Sequence, residues 1–238
     1  MRRTVTALLL TAVAAVVAVP ASSAQDADRG RSLYETGCSS CHGVEGRGTE
    51  RYPNLVGVGA ASVDFYLTTG RMPLDQPTVQ AARKEPAYSR EEIDDLVAYV
   101  TSLGDGGGPP IPRVDPAAGS LVEGRELYTA FCAACHNSQG SGGALGRDYF
   151  APHLFEATPV QTAEAVRVGP GAMPVFNSQT IDHDELNSIV RYVEYLKDPR
   201  DRGGLSLGRV GPVPEGFVAW VVGLGALLLA AFWIGTRE

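Results

Sequence analysis

Outside two pentapeptides this 238-residue chain has no cysteine, and it has only three methionines, one of them the initiator. Basic charge is short as well, with 20 Lys and Arg against 27 Asp and Glu and a formal net charge of −7. That balance speaks against nucleic acid as a partner; it fits both plain solubility and a surface that docks other proteins electrostatically. No βαβ alternation is visible, so a thioredoxin-like dithiol would lack its usual setting. Composition is otherwise ordinary, at 44% hydrophobic and 20% charged residues, and the length allows two small domains with some membrane content.

The cysteines that are present lie in Cys38-Ser39-Ser40-Cys41-His42 and Cys132-Ala133-Ala134-Cys135-His136, which also hold two of the four histidines. Two thiols three residues apart share one side of a helical turn. Both can then add to the vinyl groups along one porphyrin edge, while the adjacent histidine reaches the iron from the same face. The competing readings are a zinc knuckle, a redox disulfide and half of a structural disulfide pair. A zinc site would normally bring both pairs within a short finger, yet they begin 94 residues apart. The histidine after each pair points to two covalently bound haem c groups. Cys38, Cys41, Cys132 and Cys135 would attach them, and His42 and His136 would be axial iron ligands.

The chain repeats itself around these motifs. Gly30, Leu33 and Tyr34 before the first recur as Gly124, Leu127 and Tyr128 before the second, at the same offset of 94. Ser89 and Glu92 form a predicted capping box ahead of Ile93, Leu96, Val97, Val100 and Leu103. Asp182 and Glu185 do the same ahead of Leu186, Ile189, Val190, Val193 and Leu196. Tyr99 and Tyr192 hold matching places in these amphipathic helices, which Gly104 and Asp198-Pro199 stop. Between the copies, Gly104-Asp105-Gly106-Gly107-Gly108-Pro109-Pro110-Ile111-Pro112 is expected to start flexible and end stiff. Each copy is only about 80 residues, marginal for a protein-only core, and a haem would supply missing apolar volume.

Both ends bear on location. Met1-Arg2-Arg3, the apolar run Ala7 to Val19, Pro20, and small residues at Ser22 and Ala24 have the form of a secretory signal peptide; an uncleaved anchor is the alternative. Phe217 to Gly235 is 19 residues without a charge, about 28 Å of helix and enough to cross a hydrocarbon core. Trp220 and Trp233 lie near its two ends, where interfacial aromatics belong. The alternative is a buried core helix. An exported chain anchored here would keep both haem motifs outside the cell membrane.

The sixth iron ligand decides what each haem does. One methionine remains per copy, Met72 in Gly70-Arg71-Met72-Pro73 and Met173 in Gly171-Ala172-Met173-Pro174, each in a Gly/Pro loop between predicted helices. A core gap-filler is the bland reading of methionine; the shared Met-Pro context favours axial ligation, with the thioether raising the potential. The first copy has no histidine besides His42, while His153 and His183 in the second are expected to be solvated, His153 being the more plausible substitute ligand of the two. Two six-coordinate irons leave no open site for peroxide or oxygen, so electron transfer is expected and no catalytic residue is assigned.

Each copy resembles a class I cytochrome c. The resemblance implies that Gly30 and Gly124 let the first helix cross closely against the last, with Tyr34 and Tyr128 pairing with Tyr99 and Tyr192. It also implies that Pro53 in Pro53-Asn54-Leu55 and Pro152 in Pro152-His153-Leu154 accept a hydrogen bond from the axial histidine, fixing its tautomer. The second copy departs in a longer loop, with 37 residues from histidine to methionine against 30. The implied fold is all-α: two tandem class I cytochrome c domains plus one C-terminal transmembrane helix. The expected layout is a signal peptide over 1–24, domains over 25–104 and 119–201, linkers over 105–118 and 202–214, and a membrane helix over 215–236.

This whole layout resembles the dihaem cytochrome c subunit of actinobacterial menaquinol:cytochrome c reductase. The resemblance implies a cytochrome b subunit, a Rieske iron-sulfur subunit and an aa-type cytochrome c oxidase as partners, with quinol oxidised on cytochrome b. Two other readings stand beside it: a membrane-anchored dihaem carrier for a different oxidoreductase, and a dihaem peroxidase, which would need a displaceable distal ligand.

Overall fold

A computed structural model of the protein describes residues 26–200 and 212–237. The expected signal peptide over 1–24 and the linker stretch 202–211 lie outside the described residues. Helix α1, Ala27–Gly37, starts at Asp26, whose carboxylate accepts from the backbone N–H groups of Asp28 and Arg29. It stops at Cys38. From there Cys41 N and His42 N both donate back to the Cys38 carbonyl, at 3.1 and 2.9 Å, so the pentapeptide winds into one short turn, α2, Ser39–His42. Helices α3, Ala60–Thr68, and α4, Arg90–Ser102, complete the first unit, the latter with the full reciprocal Ser89–Glu92 capping box.

The second unit repeats the order with α5, Leu121–Phe131, α6, Ala133–His136, α7, Pro159–Val168, and α8, His183–Lys197. The Asp182–Glu185 box is complete, and Thr158 with Gln161 forms another at α7. In each unit the first helix crosses the last. The crossing is close because a Cβ on Gly30 would overlap the Asp95 carbonyl, and one on Gly124 the Ser188 carbonyl. Next to each crossing the tyrosines pair at nearly identical geometry, Tyr34–Tyr99 at 5.2 Å and Tyr128–Tyr192 at 5.3 Å, both tilted by 54°.

The fold is mostly helical as expected, with one addition. Strands β1, Gly143–Gly146, and β2, Tyr149–Ala151, form an antiparallel hairpin inside the longer loop of the second unit. Its turn residues Arg147 and Asp148 have φ of 50° and 64°, the left-handed pair of a two-residue hairpin turn that Asn-Gly usually supplies. The Gly/Pro segment also differs from expectation, being packed along both units. Ala61 N donates to the Pro109 carbonyl at 3.1 Å, and Ile111 packs on the first core. Val114 packs on the second core, and Asp115 N donates to Asn187 Oδ1 at 2.9 Å.

The two units dock through α3 against α7. Gln161 Nε2 donates to the Thr68 carbonyl at 3.3 Å, and Arg83 Nη2 donates to Gln161 Oε1 at 2.9 Å and to the Glu156 carbonyl at 3.1 Å. Gln80 brackets the Phe150 backbone, donating to its carbonyl at 2.8 Å and accepting from its N–H at 3.0 Å. Helix α9, Pro212–Gly235, is different in kind. Its stretch Val213–Gly235 has a mean hydropathy of 2.4 and buries nothing against the other described residues, leaving Trp220 73% and Trp233 56% exposed. A helix this apolar and this bare fits a membrane span and not a core helix.

Candidate haem crevices

Each pentapeptide turn presents its histidine to a buried crevice floor. His42 Nδ1 lies 2.9 Å from the Pro53 carbonyl, and His136 Nδ1 lies 3.0 Å from the Pro152 carbonyl. A carbonyl can only accept, so Nδ1 is the donor and Nε2 keeps its lone pair for a metal. Burial holds His136 below the usual imidazole range, against the opposing pull of the Pro152 carbonyl, which keeps it in the neutral form a ligand needs. Burial pushes the Cys38 and Cys132 thiols up to about 11, helped by Cys41 and Cys135 respectively. A redox dithiol needs a lowered thiol pKa. The two pairs therefore do not have the electrostatics of a disulfide oxidoreductase.

The Tyr34 hydroxyl donates to the Gly43 carbonyl at 2.8 Å, and that of Tyr128 donates to the Asn137 carbonyl at 2.7 Å. Both acceptors immediately follow the histidine and both have positive φ, 78° and 66°. The tyrosine that braces the helix crossing thus also pins the turn out of the motif. This second role was not read from the sequence, although the equal spacing of the two tyrosines held the signal.

Met72 and Met173 lie on the loops that leave α3 and α7, each packed against the core of its own unit. Met72 N donates to the Tyr66 carbonyl at 3.0 Å and Met173 N to the Pro170 carbonyl at 3.1 Å. Both methionines, both histidines, all four cysteines, Pro53 and Pro152 line a single cavity of about 1050 Å³ that runs across the docked units. His153 stands at its edge, 47% exposed, with Nε2 3.7 Å from Glu156 Oε1 and its ring stacked on Phe155. His183 is exposed on the first turn of α8.

One residue of the cavity wall carries a sign of what it holds. Arg71 Nη1 is buried and has no hydrogen-bond partner, while its guanidinium carbon sits 5.1 Å from the centroid of the Phe65 ring. Burial lowers its pKa, and the neighbouring charge of Arg83 adds to the effect. A buried cation without an anion is costly. A thiol pair, an oriented imidazole and a methionine on the wall of each crevice fit a haem there, and the first crevice adds a guanidinium lacking its counter-ion.

The chain has relatives among known proteins. The cytochrome c family profile matches residues 27–104, and that of cytochrome c oxidase, cbb3-type, subunit III matches residues 119–193. The cytochrome bc1 complex cytochrome c subunit of Mycobacterium tuberculosis (strain ATCC 25618 / H37Rv) is 37% identical over 241 residues, covering 98% of this chain and 85% of that one. The subunit of the same name from Corynebacterium diphtheriae is 36% identical, covering 88% and 80%. Among solved structures, the Kuenenia stuttgartiensis reducing HAO-like protein complex matches with a TM-score of 0.37 and 17% identity, over 71% of this chain and 96% of that one. Cytochrome c domains carry covalently bound haem c. With two such domains and likeness over nearly its whole length, the chain belongs to the family of cytochrome bc1 complex cytochrome c subunits of actinobacteria.

Proposed function

We propose that this chain is the membrane-anchored, two-haem electron-transfer subunit of a menaquinol:cytochrome c reductase, relaying electrons from the Rieske iron-sulfur protein to an aa-type terminal oxidase. The observation that carries this reading is the single cavity in which both crevices meet across docked domains. When bound, each haem c supplies a one-electron iron couple. Cys38 and Cys41 would attach the first and Cys132 and Cys135 the second. His42 with Met72, and His136 with Met173, would hold the two irons. The Pro53 and Pro152 carbonyls hold each imidazole in the ligating tautomer.

With His and Met holding each iron, the chain would conduct electrons and turn over no substrate alone; quinol would be oxidised on the cytochrome b subunit. Helix α9 is the membrane anchor, and both domains face the extracytoplasmic side of the cell membrane. Purification through this subunit tests the reading. Rieske, cytochrome b and oxidase subunits should accompany it, and the purified chain should hold two haems after acid-acetone extraction. Recovery with a different oxidoreductase would replace this reading with that of a carrier for that partner.

A further inference from the structure

Arg71 is the one described cavity-wall residue with a buried, partnerless cationic nitrogen. It belongs to the first domain, next to Met72, but its guanidinium lies at the seam with the second. Arg83 is close enough to act on its charge. Arg83 is already committed across the seam, with Nη2 on the Glu156 carbonyl and Gln161 Oε1, and Nε 3.4 Å from Glu156 Oε2. Both guanidiniums thus line the cavity where the crevices join, and the Glu156 carboxylate on the same wall pairs with Arg83. The Phe65 face offsets part of the charge on Arg71, and the buried Nη1 is still short of an acceptor.

Resting on the two-haem reading above, we infer that Arg71 binds a propionate carboxylate of the haem in the first crevice, with Arg83 as the neighbouring cation that ties this ion pair to the second domain. A carboxylate matches the planar guanidinium fork, and such a charge-assisted pair is strongest where water is excluded. The propionates are the anionic groups of a haem, and a haem in the first crevice would bring them into this cavity. The consequence is structural and electronic together. Filling the first crevice would complete the docking surface of the second domain, and the paired cation would keep a propionate charge from stabilising the ferric iron.

The experiment uses the full-length chain and its Arg71→Met and Arg71→Lys variants in a Met173→His background, where the altered ligand of the second haem separates the two spectra. The covalent haem count of the parent tests the two-haem reading by itself: one haem instead of two defeats that reading whatever Arg71 does. With two haems present, Arg71→Met should shift the propionate bending band of the first haem in resonance Raman and lower its midpoint potential, while leaving the second haem unchanged. Arg71→Lys should restore most of the potential, because the charge returns without the fork. Should Arg71→Met fail to accumulate, Arg83→Met carries the same expectation with a smaller shift. An unchanged band and potential in a variant holding both haems, or a change confined to the second haem, overturns the inference.

Discussion

Gly30 on α1 lies directly against the carbonyl of Asp95 on α4, and the space between them is smaller than a methyl group. The same residue pair is locked by charge one step away, since Asp95 accepts from Arg29 Nε and from Asp26 N, the latter at 2.8 Å. The Arg29 hydrogen bond is the main cause holding the Asp95 carboxyl below its usual range. Gly30→Ala must push the helices apart. We expect a loss of about 1–3 kcal/mol, read as a lower denaturation midpoint of the holoprotein, and Gly124→Ala should behave alike against Ser188. A wild-type midpoint in both variants would contradict the crossing.

Replacing Cys38 and Cys41 together, or Cys132 and Cys135 together, should leave a chain with one covalent haem. The duplication makes the two experiments symmetric. If either double variant keeps two haems through acid-acetone extraction, attachment at that motif is wrong.

Met72→Ala and Met173→Ala should each remove one thioether-to-iron band from the oxidised spectrum and lower one midpoint potential, because a thioether favours the ferrous state. Spectroelectrochemical titration reads both effects. Spectra identical to wild type in either variant would return that methionine to the role of a core filler, a place its packing against the hydrophobic cluster already allows.

These sites were legible because their chemistry is local. The pentapeptides, the Ser89 and Asp182 caps, Gly30, Gly124 and the tyrosine pairs each depend on residue type at short or repeated spacing. The structure brings them together as the pattern implies. The hairpin was hidden because its turn uses Arg147-Asp148, without the glycine that signals positive φ. The packing of the Gly/Pro segment rests on the isolated apolar side chains Ile111 and Val114, too sparse to form a pattern. The domain seam was the least visible of all. Its bonds join residues 70 to 93 positions apart, such as Gln80 with Phe150 and Thr68 with Gln161. The missing partner of Arg71 exists only once tertiary burial has excluded water from it.

Truncation before Pro212 should release a soluble protein that keeps both haems, since α9 buries nothing against the domains. Membrane fractionation with haem staining decides it. Continued membrane association of the truncated chain would shift the anchor to partner docking or to the N-terminal segment.

The seam also holds an acid. Glu164 on α7 is fully buried, and neither carboxyl oxygen has a hydrogen-bond donor. It faces Asp64 of α3, itself buried and ion-paired with Arg90, which also holds Asp94. Two ionised carboxylates are both acceptors, so the pair is one proton short unless Glu164 keeps its own. Burial above all, then the charge of Asp64, pushes Glu164 up to about 9, with Arg90 opposing. The folded chain therefore binds a proton that the unfolded chain, with an ordinary value of 4.5, has released at neutral pH. Stability contributed by this group is complete below the unfolded value, falls as pH rises toward the folded one, and levels off beyond it. The slope reaches at most about 1.4 kcal/mol per pH unit. Glu164→Gln, a neutral isostere, should flatten the decline between neutrality and about 9, measured as denaturant midpoint against pH. Other acidic groups tilt both curves alike, so the difference between wild type and variant isolates Glu164. Parallel curves would mean that the carboxyl is ionised in the seam and that Arg90 alone compensates two anions.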